Sequence, residues 1–132
     1  AITEAIFHAL HGVDRTDIRH YIDVRYGYDM LRSVDEIRPD YEFDETCMGT
    51  VPEAIICALE ADSFEQAIRN AISLGGDADT LAAIAGGLAE ALYGIPDDLA
   101  RATLDLMPAD MRDVLRALYA RRGRRMPGLD EG

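Results

Sequence analysis

Helical spacing is the feature that most limits what this chain can fold into, because apolar residues recur every three or four positions along most of it. No segment shows the strict alternation of apolar and polar residues, bounded by hairpin turns, that predicts strands. The pattern therefore predicts an all-α fold. The predicted helices cover residues 2–10, 16–24, 33–38, 63–73, 80–93, 96–108 and 108–123.

Two weaker features complete this picture of the fold. Residues 39–50 have no helical period and are predicted to form an ordered loop, with Pro52 beginning the next helix. Gly86 and Gly87 lie in the middle of the predicted helix 80–93, where each costs about 1 kcal/mol relative to alanine. Alanines beside them leave one side of this helix smooth. We therefore expect a central helix against which a neighbour packs unusually closely.

Length and charge restrict the possible functions. The 132 residues predict one helical domain over 1–122 and a basic, disordered tail over 123–132. The net charge of −12 repels phosphate backbones and anionic bilayers, so neither nucleic acid nor a membrane is an expected partner. All 13 basic residues are arginine, which excludes enzymes that need a Schiff-base lysine or a P-loop lysine.

The two cysteines, Cys47 and Cys57, match no zinc or redox spacing, which is typical of a reduced protein. The sequence contains neither an apolar run long enough to cross a bilayer nor a signal-peptide pattern at its start. These observations predict a cytoplasmic protein.

The segment most informative about chemistry joins the predicted helices 63–73 and 80–93. Gly75 and Gly76 permit a sharp turn, and Asp77, Asp79 and Thr80 follow within one helical turn. Two carboxylates about 5 Å apart repel each other by roughly 3 kcal/mol at an effective dielectric constant of about 20. Either the aspartates cap the helix N-terminus, or the three oxygen-bearing side chains bind Mg²⁺, Mn²⁺ or Ca²⁺.

Two stretches of sequence resemble those of a known family. Residues 64–86, FEQAIRNAISLGGDADTLAAIAG, resemble the C-terminal signature of the ADP-ribosylglycohydrolases, which include the dinitrogenase-reductase-activating and ADP-ribosyl-acceptor hydrolases. Residues 43–54, FDETCMGTVPEA, resemble a second block of that family. The resemblance spans most of the chain, and its motifs are specific.

The resemblance implies an orthogonal all-α bundle with two metal ions, usually Mg²⁺ or Mn²⁺, at the mouth of a cleft that takes ADP-ribose. Two substrate-side positions differ from many relatives, in which Gln stands at Met48 and Ser at Thr50. The matching positions are the metal ligands Asp77, Asp79 and Thr80 and the substrate-side residues Cys47, Met48, Gly49, Thr50 and Gly76.

The resemblance also implies an activity, the hydrolytic release of ADP-ribose from a modified protein or small molecule. In the family, a threonine, a pair of aspartates and the water-activating acid lie in an N-terminal half for which this chain has no counterpart. We therefore expect the C-terminal portion of such an enzyme, with half of the metal site and a general base outside this chain. The expected partners are an ADP-ribosylated substrate and either the missing half or a second copy. The alternative is a non-catalytic helical module that acts through binding or self-association.

Overall fold

The computed structural model describes residues 1–129, and within them it contains eight α-helices and no strand. This confirms the all-α prediction. In the same residues, no helix is both long and apolar enough to cross a membrane. The helices are α1 (Ile2–Leu10), α2 (Arg15–Tyr26), α3 (Val34–Ile37), α4 (Cys47–Glu60), α5 (Phe64–Leu74), α6 (Ala78–Tyr93), α7 (Asp97–Leu106) and α8 (Ala109–Arg121).

The chain divides into two units, Ala1–Gly94 and Ile95–Gly132. In the first unit, α4, α5 and α6 pack on one another, and α1 packs on α6. Helix α4 is apolar around most of its surface, with Glu53 as an exception, and is buried continuously from Pro52 to Leu59, as expected of a helix enclosed by its neighbours. The largest fully buried side chains are Ile18, Ile22, Met30, Val34, Ile55, Ile56, Cys57, Leu81 and Leu88.

The start of α4 differs from the sequence prediction. The helix begins at Cys47, because Thr46 caps it: the Gly49 N–H donates to the Thr46 hydroxyl at 3.1 Å. Pro52 therefore lies inside the helix, where it has no N–H to offer the preceding turn. The prediction of a loop over 39–50 and of a helix start at Pro52 is wrong for residues 47–51. The prediction missed the earlier start because it did not count Thr46, a residue type that is a strong N-cap, as the cap of this helix.

The glycines of α6 do not mark a close approach of two backbones. A Cβ on Gly86 would lie 3.1 Å from the tip of the Ile68 side chain, and one on Gly87 would lie 3.7 Å from the tip of Ile6. The second distance is an ordinary contact. The expectation that a neighbouring helix packs unusually closely is thus wrong at Gly87. At Gly86 the close contact is with the flexible end of the Ile68 side chain.

We expect Gly87→Ala to stabilise the protein by about 0.5 to 1 kcal/mol, because alanine loses less conformational entropy in a helix and room for its methyl group exists. Urea denaturation followed by circular dichroism measures the change. Gly86→Ala is the matched control, and its gain should be smaller because Ile68 must shift. A loss of stability in Gly87→Ala would contradict this description of α6.

The second unit contains α7, α8 and the turns that follow them. Both carboxylate oxygens of Asp97 accept hydrogen bonds from the Arg125 guanidinium at 2.9 Å, and the Gly128 N–H donates to the same carboxylate at 2.8 Å. Met126 is buried. Residues 123–129 therefore have defined contacts, whereas the sequence predicts a disordered tail over 123–132. Residues 130–132 of that tail lie outside the described residues.

These contacts make a pH dependence testable. Hydrogen bonds from Arg125 lower the pKa of Asp97 from 3.8 to about 2, with a further contribution from the Gly128 N–H. A lowered pKa means that the ionised carboxylate stabilises the fold above its ordinary pKa and that this stabilisation is lost as pH falls toward 2. We expect Asp97→Asn to lower the melting temperature at neutral pH. The difference from wild type should shrink between pH values of about 4 and about 2. A pH-independent difference would contradict the assignment.

Candidate active site

A glycine turn connects α5 to α6 and positions the two aspartates of the sequence motif. Gly75 and Gly76 have φ angles of 76° and 58°, a region that side-chain-bearing residues rarely adopt. Asp77 stands at the N-cap position of α6, yet its side chain makes no capping hydrogen bond. The capping alternative for Asp77 therefore lacks the hydrogen bond that defines it.

Asp77 and Asp79 stand two residues apart at the start of α6, and their side chains interact. Hydrogen bonding with Asp77 lowers the pKa of Asp79, and the backbone N–H groups of Asp79 and Thr80 lower it further. Asp77 is half-buried, whereas Asp79 and Thr80 are exposed. Two carboxylates and a hydroxyl thus stand at one helix start with open access to solvent.

The loop that precedes α4 packs against the glycine turn. A Cβ on Gly76 would lie 2.9 Å from the Tyr41 ring, 3.2 Å from the Glu42 carbonyl oxygen and 3.3 Å from the Phe43 Cα. The Tyr41 hydroxyl donates to the Gly49 carbonyl at 3.2 Å. Tyr41 therefore links the turn before α6 to the first turn of α4, and the two sequence motifs meet at this loop.

The first turn of α4 carries the predicted substrate-side residues. Cys47 and Met48 are exposed, and Gly49 is half-buried against Asp44, whose carboxylate occupies the space that a Cβ on Gly49 would need. Thr50 is buried, and its hydroxyl donates to the Asp44 carbonyl at 2.9 Å. Of the predicted side chains, those of Cys47 and Met48 are open to a ligand in this arrangement, and that of Thr50 holds the loop.

Tyr41, Asp44 and Glu53 are residues of this region that the sequence reasoning did not assign to a site. Burial raises the pKa of Tyr41, the nearby Thr50 hydroxyl opposes this, and the negative charges of Glu53, Asp44 and Asp77 raise it further. Negative charges from the loop, from α4 and from the turn before α6 thus all raise the pKa of this one phenol. The sequence signal that could have identified Glu53 is the position of this charged residue directly before the apolar run of α4.

Glu53 is buried and is held by an ion pair with a partly exposed arginine. Its side chain is 8% exposed, and its Oε1 accepts from an Arg32 guanidinium nitrogen at 2.6 Å, while Oε2 has no hydrogen-bond partner in the described residues. The loop that carries Arg32 is fixed in turn by Arg19, whose guanidinium donates to the Met30 carbonyl at 2.5 Å. The ion pair between Arg32 and Glu53 therefore joins the loop after α2 to α4, whose first turn is part of the candidate site.

The donor set fits a divalent cation only in part. Asp77, Asp79 and Thr80 are oxygen donors of the kind that Mg²⁺ and Mn²⁺ prefer. Within residues 1–129, however, no group of three or more histidine, cysteine, aspartate or glutamate side chains is arranged to hold a metal ion. Since Mg²⁺ takes about six ligands, three oxygens would have to be completed by water or by other groups.

The packing of Gly76 against Tyr41 gives a testable prediction. We expect Gly76→Ala to lower the free energy of unfolding by about 2 kcal/mol, from the cost of a positive φ and from the overlap with the loop. Gly27→Ala is the control, because Gly27 has a φ of 68° with nothing within 4 Å, and it should lose about 1 kcal/mol. Equal losses in urea denaturation would show that the loop does not pack on the turn.

The model of a protein family described as ADP-ribosylglycohydrolase matches residues 2–128, nearly the whole chain. Members of that family are generally metal-dependent. Searches among curated proteins and among solved structures gave no significant match.

Proposed function

Because the chain belongs to the ADP-ribosylglycohydrolase family, we propose that it takes part in the hydrolysis of the bond between ADP-ribose and a protein side chain or small molecule. The observation that carries the proposal is the pair of aspartates at the start of α6. They lie in the family motif, Asp77 contributes to the lowered pKa of Asp79, and the Asp77 side chain is not used to cap the helix.

In this proposal Asp77, Asp79 and Thr80 supply three oxygen ligands to Mg²⁺ or Mn²⁺, and they form one half of a site that holds two ions. The exposure of Asp79 and Thr80 leaves room for water and for ligands from elsewhere. When bound, such a cation would orient the ribose hydroxyls and stabilise negative charge that develops in the reaction. The general base stays unassigned.

The first turn of α4 and Gly76 form the substrate side of the proposed site. Cys47 and Met48 offer exposed side chains beside the loop, and Met48 cannot donate the hydrogen bonds that a glutamine donates. We therefore expect van der Waals contact between Met48 and the substrate. Gly76, whose Cβ position is filled by Tyr41 and the loop, can offer a substrate only its backbone groups.

The proposal is tested by incubating the protein with ADP-ribosylated peptides, modified on arginine in one and on serine in the other, in the presence of Mn²⁺ or Mg²⁺. Free ADP-ribose is then measured by chromatography. We expect release, by the chain alone or once the other half of the site is supplied, and we expect this release to be lost in Asp79→Asn. Asp17→Asn is the matched control, because Asp17 is likewise an exposed acid in the first turn of a helix, α2.

Binding experiments separate the enzyme from the alternative, a non-catalytic module of the same family. Calorimetric titration with ADP-ribose reports binding whether or not a bond is cleaved. ADP-ribose that binds without any release from either peptide would favour the module. Neither binding nor release would contradict the proposed function.

A further inference from the structure

Helix α8 exposes an apolar seam. Met111, Val114 and Leu118 are 57%, 68% and 52% exposed, and with Leu115 they follow the spacing of one helix face. No residue of α8 is buried. Three residues of this seam, together with Met107 and Asp110, line a groove. Monomeric proteins rarely leave such a continuous apolar strip in water, so the seam calls for a partner surface.

The charges at the edge of the seam indicate which partner it fits. Asp110 and Arg121 lie eleven residues apart, about three helical turns, and therefore on the same edge of α8 at opposite ends of the seam. Neither side chain makes a hydrogen bond or an ion pair within residues 1–129. The edge is thus negative at one end, positive at the other, and unpaired at both.

We propose that this seam binds the same seam of a second copy of the chain, with the two α8 helices antiparallel about a two-fold axis near Val114 and Leu115. Such an axis brings each edge against the same edge of the other helix with its direction reversed. Asp110 then faces Arg121 of the second copy, and the contact occurs twice. Leu118 of the second copy comes opposite Met111 and enters the groove.

Self-complementarity favours a second copy over an unrelated partner, because one surface supplies both signs of charge and both the groove and the side chain that fills it. A parallel pair about a two-fold axis would put this edge of the two helices on opposite sides of the contact, so that Asp110 of one copy would lie away from Arg121 of the other. Asp113 and Arg116, which lie away from the seam, are already paired with each other at 2.9 Å and are not needed for the contact. Antiparallel helices also align their dipoles favourably.

The first test is the mass of the full chain in solution, by sedimentation or light scattering over a range of concentrations. We expect a species of twice the 14.5 kDa chain mass. Val114→Asp should give a monomer with unchanged helix content, and the control Ala120→Asp, on the opposite face, should stay a dimer. A wild-type monomer at every concentration, or a dimer that survives Val114→Asp, would overturn the proposal.

The second test reads the direction of the helices. Asp110→Arg and Arg121→Asp should each weaken self-association by about tenfold, since each homodimer then has like charges at both edge contacts. Mixing the two variants should restore association, because a dimer with one chain of each kind has two opposite-charge contacts. Failure of the mixture to associate better than either variant alone would overturn the antiparallel arrangement.

Discussion

Arg32→Met is expected to lower the free energy of unfolding by about 3 kcal/mol, the largest single loss that we predict for a side-chain substitution. Among the described residues, the Glu53 carboxylate accepts a hydrogen bond from the Arg32 guanidinium. Its removal leaves a carboxylate that is 8% exposed without a counter-charge. We place the loss at the low end of what is usual for broken buried pairs, because Arg32 itself is 38% exposed and water can approach.

Two further variants isolate the cause. Arg69→Met breaks an exposed pair with Glu65 on α5 and should cost no more than about 0.5 kcal/mol. The double variant Arg32→Met/Glu53→Met removes both charges and should recover to within about 1 kcal/mol of wild type. Urea denaturation measures all three variants. If Arg32→Met costs no more than Arg69→Met, or if the double variant is the least stable, the buried pair does not act as described.

Much of the helical architecture could be predicted from spacing and caps. Ser63 caps α5 and accepts a hydrogen bond from the Gln66 N–H at 3.1 Å, as the motif predicts. Gly94 ends α6, and α7 begins directly after Pro96. These boundaries depend on contacts between residues close in sequence, and such contacts can be inferred from the sequence itself.

The start of α4 could not be predicted in the same way. Its first turn contains Gly49, a poor helix former, and Pro52 follows within the helix. The turn is held by contacts from the preceding loop: the Asp44 carbonyl accepts from Thr50, and the Asp44 carboxylate accepts from the Thr46 N–H at 2.7 Å. Periodicity does not reveal such contacts, and a proline at the apparent start of an apolar run suggests the wrong boundary.

In the candidate site, too, the features that are local in sequence could be predicted, and those that depend on distant contacts could not. The glycine turn and its aspartates are local in sequence, so their motif could be identified directly. The position of Tyr41 against Gly76, and of Glu53 near that tyrosine, depends on the packing of a loop onto two helices that are distant in sequence. The charge around Tyr41 comes from three separate segments, and no single stretch of sequence carries it.

The central claim is that Asp77 and Asp79 bind a divalent cation together. The most direct measurement is the thermal and urea stability of the full chain during titration with Mn²⁺ and Mg²⁺. A metal concentration of a hundred times the dissociation constant should add about 2.7 kcal/mol to the free energy of unfolding. Asp77→Asn and Asp79→Asn should each remove this gain, whereas the control Asp17→Asn should keep it. A wild-type protein that neither metal stabilises, or a gain that persists in Asp79→Asn, would contradict the claim.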